Sequence, residues 1–268
     1  MKLYPNAKIN IGLLVGDTLP NGYHNIETIF YPIDLHDELE IVPTDGATTI
    51  TTDGITLDCP PEKNLILKAY NAIKQHFGIG NIEIRLNKCI PFGAGLGGGS
   101  SDAAFTAYGL NLLFGLNLKR QQLADLLAPI GADCPFFVYN RPMLAQGIGD
   151  KLSPINLNLS GLWLLLVKPN ISIPTAMAYK EVEQTTLNQQ LTHTASEPIE
   201  KWRNTMTNAF EASVFPHHPL LQEIKEQLYA QGAIYASMTG TGAAIYGLFK
   251  DEPKKKIFNT YFTYSQKL

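Results

Sequence analysis

The sequence predicts an α+β fold in two lobes, and three observations lead there. Short β-rich runs crowd the N-terminal stretch. Later strand and helix patterns are mixed without regular βαβ alternation. Of the 268 residues, 45% are hydrophobic, enough to bury sizeable cores. The lobes are expected as residues 1–156 and 157–268, with the change-over near 156–161.

In chain order, residues 7–15, 27–33, 39–42 and 48–52 are β-rich runs parted by turn-rich pieces, which reads as antiparallel sheet. Leu65, Ile66, Ala69, Tyr70, Ile73 and Phe77 then recur at helical spacing, with Asn64 placed to cap the start and Gly78 to close the end. Residues 82–86 alternate as a strand, a glycine-rich loop follows, and an alanine-containing apolar stretch to Phe114 reads as a helix. Residues 121–128 form another helical pattern, and the unbroken apolar run 162–167 reads as a fully buried strand. The Thr-, Gln- and Asn-rich segment 183–196 reads as a long loop or a weakly ordered stretch. Helical patterning returns at 200–214 and 220–230, and strands at 235–238 and 244–249 flank Thr239-Gly240-Thr241-Gly242.

Charge and cysteine usage exclude several classes. Charged residues are 17% of the chain and the formal net charge is -3, so there is no basic field to hold DNA or RNA, and any phosphate recognition must be local. Cys59, Cys89 and Cys134 are an odd count without CxxC spacing, which argues against a disulfide framework and a structural zinc site and fits a reducing, cytoplasmic setting. The N-terminus lacks a signal-peptide core, and the run 162–167 is far short of the ~20 residues of a spanning helix, so a soluble protein without a membrane partner is expected.

The chemistry concentrates in Pro91, Phe92, Gly93, Ala94, Gly95, Leu96, Gly97, Gly98, Gly99, Ser100 and Ser101. Five glycines in this loop let backbone approach a ligand without Cβ obstruction, and Ser100 and Ser101 open a helix whose free N–H groups and dipole favour a phosphate. Gly93, Gly95 and Gly98 match GxGxxG, but the acidic residue required about 20 positions later is missing around Gly115 to Leu118. A Walker A loop is excluded too, because Ser-Ser stands where Gly-Lys-Ser/Thr is needed.

The loop instead resembles the phosphate loop of the GHMP kinases. Four further blocks are similar to that family and fall in its order: Ala7-Lys8-Ile9-Asn10-Ile11 with Asn21-Gly22-Tyr23-His24, then Gly131-Ala132-Asp133-Cys134-Pro135, Ile173-Pro174-Thr175, and Thr239-Gly240-Thr241-Gly242-Ala243. The resemblance implies a two-lobed GHMP kinase-like fold with the active site between the lobes, an ATP-binding domain over 1–156, a C-terminal domain over 157–268, and phosphoryl transfer from ATP to an alcohol. The three-glycine form of the loop is similar to that of the members whose small-molecule substrate carries a cytidine diphosphate group. Homoserine, mevalonate and sugar kinases of the family stay open as alternatives, as does a non-catalytic nucleotide-binding regulator.

By the same resemblance, Asp133 deprotonates or orients the attacking hydroxyl and Lys8 stands beside it to keep it ionised; without the resemblance Asp133 reads as a turn or cap residue and Lys8 as a solvated strand residue. Tyr23, His24, Phe30 and Tyr179 are placed on the substrate side, with His24 reading the cytosine edge and the aromatic rings stacking; Phe30, inside an apolar run, also reads as core. Asn10 and Thr175 are expected to hydrogen-bond the methylerythritol diphosphate part, and Lys88 to neutralise its charge. Magnesium is expected with ATP rather than in a protein cage, with Ser100 or Ser101 as a ligand. Asp102 departs from the family pattern, where a neutral residue such as Asn is common, and two readings stand: it repels the triphosphate or it helps hold magnesium. Tyr179 stands where Phe is frequent. Oligomeric state is not legible.

Overall fold

The computed structural model describes residues 1–20, 22–55, 60, 63–188 and 190–268, so Asn21 and Cys59 lie outside the described residues. The α+β expectation holds. The chain gathers into two compact units, one from Met1–Lys8, Asp34–Phe92 and Gly97–Arg141, the other from Ile9–Ile33, Gly93–Leu96 and Pro142–Leu268. The units interleave along the chain, whereas a single division after residue 156 is linear.

The first unit holds β1 (Lys2–Leu3), the start of β2 (Asn6–Thr18), the end of β3 (His24–His36), β4 (Glu38–Thr44), β5 (Thr49–Gly54) and β6 (Asn81–Lys88). Its sheet runs β1-β4-β6-β5. Along β6 the period-2 alternation buries Ile82, Ile84, Leu86 and, on the same face, Lys88. Helix α1 (Leu65–Phe77) begins with the Ile66 amide donating to Asn64 Oδ1 at 2.9 Å and ends at Gly78 with φ 65°, as its sequence predicts. Pairing of β5 with β6 is parallel, which corrects the antiparallel expectation for 48–52: α1 lies between the two strands in sequence and supplies the crossover a parallel pair needs. Helices α2 (Gly98–Leu113), α3 (Arg120–Leu127) and α4 (Cys134–Tyr139) complete the unit. The sequence reading missed α4 because Pro135 reads as a break, yet at the first turn of a helix proline loses no hydrogen bond.

The second unit contains β7 (Met143–Gln146), β8 (Lys151–Pro154), β9 (Trp163–Lys168), β10 (Tyr235–Met238), β11 (Ile245–Phe249) and β12 (Phe262–Lys267). One sheet runs β2-β3-β7-β8, and the other runs β10-β11-β9-β12 with antiparallel pairing. As an interior strand β9 is covered on both faces, which is why its apolar run does not alternate. Helices α5 (Thr175–Lys180), α7 (Phe210–Val214) and α8 (Pro219–Ala230) supply Ala178, Val214, Leu221, Ile224 and Leu228 to a core shared with Val167, Ile245 and Phe249, and α6 (Gln190–Ala195) lies between α5 and α7 in sequence.

Two expectations here are corrected. Segment 183–196 is not all loop, because α6 forms within it; the buried Glu27 carboxylate accepts a hydrogen bond from the Leu191 amide at 3.1 Å, an anchor far away in sequence. The stretch 200–214 is not one helix but a 3₁₀ turn, Ile199–Asn204, followed by α7. The break falls at Asn208, whose Nδ2 donates to Met238 O at 2.7 Å while its Oδ1 accepts from the Phe210 amide at 3.0 Å. Among the described residues no helix is long and apolar enough to cross a membrane.

Candidate active site

The loop 91–101 takes the conformation its glycines allow: φ is 60° at Gly93, 73° at Gly95 and 72° at Gly97, a region that L side chains enter only with strain. Gly97 is the N-cap of α2, so the amides of the first turn that follow are left without intrahelical acceptors. Those amides and the helix dipole suit a phosphate. A Cβ built on Gly97 falls 2.9 Å from Phe137 Cζ and 3.3 Å from Lys8 Cε, so the loop packs directly on the Lys8 stem.

Lys8 and Asp133 meet in the first unit as expected, Nζ to Oδ2 at 3.6 Å, with the lysine side chain 4% exposed and the aspartate 31%. Burial pulls the Lys8 ammonium below its ordinary pKa, and the adjacent Asp133 carboxylate opposes that pull. Asp133 occupies the N-cap position of α4 yet its side chain makes no capping hydrogen bond. Asp133 therefore stands in the turn at the helix start without capping it through its side chain, half-buried and facing Lys8.

The Lys88 side chain is 2% exposed, and its ammonium donates to two buried carboxylates, Asp37 Oδ2 and Asp102 Oδ2, the latter at 2.8 Å. Burial alone depresses its pKa, but the two carboxylates more than offset that and raise it. Asp102 is pushed up to about 7, chiefly by burial, with Lys88 opposing. The two readings left open for Asp102 thus meet a third arrangement, in which its carboxyl turns to Lys88. Asp37 was not singled out from the sequence, and nothing around it signals a partner 51 residues away. A cavity of about 400 Å³ beside this cluster is lined by Leu65, Ile66, Leu86, Phe92 and Gly99 together with Asp102.

In the second unit Asn10 exchanges hydrogen bonds with neutral groups. The Asn10 amide donates to Thr239 Oγ1 at 3.0 Å, Asn10 Nδ2 donates to Thr28 Oγ1 at 3.0 Å, and Thr239 Oγ1 lies 3.1 Å from Gly95 O. A Cβ on Gly95 would fall 2.0 Å from Thr239 O, so the Thr239–Gly240 backbone presses against segment 93–96. The Thr239-Gly240-Thr241-Gly242 block is therefore more than a tight turn. His24 stacks on Tyr179, with ring centroids 5.1 Å apart and 21° between planes, and Tyr179 meets Phe210 edge-on. Tyr23 is 62% exposed, whereas Phe30 is 1% exposed in the core of its sheet. Thr175 is exposed at the start of α5. Gln184, from the variable segment, approaches His24 Nδ1 at 3.5 Å and Thr18 Oγ1 at 3.2 Å, a contact its polar surroundings in sequence did not signal.

Among the described residues no group of three or more His, Cys, Asp or Glu is arranged to hold a metal ion. The oxygen donor that fits a magnesium ion carried by phosphates is Ser101 Oγ, buried at the start of α2 without a hydrogen-bond partner among the described residues.

A glycine loop delivering a helix N-terminus, with a buried lysine paired to a half-buried aspartate against it, is the arrangement of an ATP-dependent small-molecule kinase. Comparison with known proteins bears this out. The GHMP kinases N terminal domain matches residues 64–141, and the GHMP kinases C terminal domain matches residues 193–261. A 4-diphosphocytidyl-2-C-methyl-D-erythritol kinase of Parabacteroides distasonis is 48% identical over 250 residues, covering 93% of this chain and 92% of that protein. A crystal structure of 4-(cytidine 5'-diphospho)-2C-methyl-D-erythritol kinase superposes with a TM-score of 0.77 at 30% identity, over 92% of this chain and 90% of that one. The mevalonate kinase of Methanococcus jannaschii, at 17% identity and a TM-score of 0.74 over 99% and 97% of the two chains, shares the fold. The chain belongs to the GHMP kinase family, among its 4-diphosphocytidyl-2-C-methyl-D-erythritol kinases.

Proposed function

We propose that this chain transfers the γ-phosphoryl group of ATP to the 2-hydroxyl of 4-diphosphocytidyl-2-C-methyl-D-erythritol, within the methylerythritol phosphate route to isoprenoid precursors. The observation that carries the reading is the Lys8–Asp133 pair at 3.6 Å, with the Lys8 stem packed under Gly97 of the phosphate loop. In this reading Asp133 receives the hydrogen bond of the attacking hydroxyl and is the member of the pair able to take its proton. Lys8 offsets the negative charge that develops as the new O–P bond forms and the bond to the β-phosphate oxygen breaks. Loop residues 91–101 and the first turn of α2 hold the phosphates.

Magnesium supplies charge neutralisation on the phosphates when bound, with Ser101 or Ser100 offering a hydroxyl. On the acceptor side, Tyr23, His24 and Tyr179 receive the cytosine, and Asn10 and Thr175 the diphosphate part. Lys88 and Phe30 act from within, because their side chains are buried. ATP binding is assigned to residues 1–156, the C-terminal domain to 157–268, and the working site to the cytoplasm.

An ADP-release assay tests the substrate. Turnover is expected with the cytidine-linked alcohol and not with free methylerythritol, homoserine or mevalonate. Equal turnover of free methylerythritol would remove the cytosine site from the reading.

A further inference from the structure

The Asp37–Lys88–Asp102 cluster is built around the two ends of the phosphate loop. Asp37, fully buried between β3 and β4, accepts through Oδ1 from the Cys89 amide at 2.6 Å and the Ile90 amide at 2.7 Å, the two amides that lead into Pro91. Its other oxygen accepts from Lys88 Nζ. The same ammonium reaches Asp102 in the second turn of α2, the helix that closes the loop. A Cβ on Gly98 would fall 3.0 Å from Lys88 Nζ, so the ammonium lies directly beneath the start of that helix.

We infer that Asp37, Lys88 and Asp102 are positioning residues, a buried clamp that ties the entry and the exit of the phosphate loop to one ammonium and so sets the affinity for ATP. The role rests on the kinase reading above and deepens it. A loop with left-handed φ at Gly93, Gly95 and Gly97 has many alternative conformations, and fixing both of its ends lowers the entropy lost when it closes on phosphates.

The clamp holds two carboxylates against one ammonium. Asp102 is held by Lys88 through Oδ2, and its Oδ1 has no hydrogen-bond partner among the described residues. Removing the ammonium leaves both carboxylates buried without that counter-charge and separates the two ends of the loop from their common partner.

The test is ATP binding by calorimetry on the full chain, comparing wild type, Lys88→Met, Asp102→Ala and the double variant, with Tm measured on each. Lys88→Met is expected to weaken ATP about tenfold or more, because it leaves two buried carboxylates without their ammonium and frees both ends of the loop. Asp102→Ala, which cuts the exit tether and leaves the Asp37–Lys88 contact, is expected to weaken ATP several-fold, and the double variant is expected to be no worse than Lys88→Met, because both changes act through one contact. A merely structural role predicts a lowered Tm with the ATP affinity of the folded protein unchanged. Unchanged ATP affinity in the folded variants, or losses that simply add in the double variant, overturns the clamp; if Lys88→Met does not fold, Asp102→Ala decides alone. Wild type that binds ATP while the variants bind it identically defeats the clamp only, whereas wild type that binds no ATP defeats the kinase reading and the clamp with it.

Discussion

In the first unit, the residues that matter carry charge: Lys8 faces Asp133 at 3.6 Å, and Lys88 is enclosed by Asp37 and Asp102. In the second, the corresponding contacts are neutral, with Asn10, Thr28 and Thr239 exchanging hydrogen bonds of 3.0 to 3.2 Å and His24 stacked on Tyr179. Buried charge is costly unless paired, so it belongs where charge develops or arrives during the reaction. Neutral hydrogen bonds and stacked rings fix shape instead, and they discriminate by leaving the wrong ligand's partners unsatisfied. On the function proposed above, the contrast predicts that turnover depends on the charged residues of the first unit, and acceptor selectivity on the neutral residues of the second.

The sharpest way to break that contrast is Asp133→Asn, which keeps the shape and removes the charge. It is expected to lower kcat by about 10²- to 10⁴-fold with ATP affinity little changed. Near-normal kcat at saturating substrate would take Asp133 out of the chemistry. Next in size is Gly97→Val, in which a β-branched side chain must enter φ 72° and its Cβ would fall 2.9 Å from Phe137. ATP binding is expected to drop by about 100-fold or more, on the order of 3 kcal/mol, while the fold persists by circular dichroism. Unchanged affinity in calorimetry would make the loop a linker.

On the neutral side, His24→Ala is expected to cost the cytidine-linked substrate roughly 10-fold to several hundred-fold in kcat/KM, from one lost hydrogen bond and an unsatisfied partner. ATP affinity should stay the same, and discrimination against a uridine-linked analogue should shrink. A parallel loss for both analogues would move His24 from recognition to packing.

The smallest expected effect is on stability. Because the folded pKa of Asp102 lies near 7, well above the ordinary carboxylate range, the native state keeps a proton that the unfolded chain releases, and stability falls as pH rises from about 4 to 7. Asp102→Asn has no such term. Its Tm advantage over wild type should grow across that window and level off above it, by a few degrees at roughly 2–4 °C per kcal/mol. A gap that does not change with pH would place the titration elsewhere.

What the sequence reveals follows the range of the interactions. The α1 caps, the buried run of β9 and the glycine loop are local patterns, and each appears where its residues place it. Even the inward face of Lys88 follows from its phase with Ile82, Ile84 and Leu86. Its partners do not, because Asp37 is 51 residues away and the turn that buries it carries no periodic signal. The parallel β5–β6 pair and the anchoring of α6 by Glu27 are hidden for the same reason: both depend on partners that no sequence window contains. Phe30 shows the converse case, where family position suggested a ligand contact and the apolar run in which it sits described its surroundings.

The interleaving of the units also sets a timetable for synthesis. As the chain emerges from the ribosome, every stretch of the first unit is present once Arg141 is out, but Ile9–Ile33 has to wait for partners drawn from Pro142–Leu268. At roughly 5–20 residues per second, that wait is on the order of ten seconds. Throughout it Ile9, Ile11, Leu13 and Val15, each at most 3% exposed in the finished protein, are without their final cover. This early hairpin is therefore the part of the nascent chain with most to gain from a chaperone, and the place where a slowed ribosome would most readily produce aggregate.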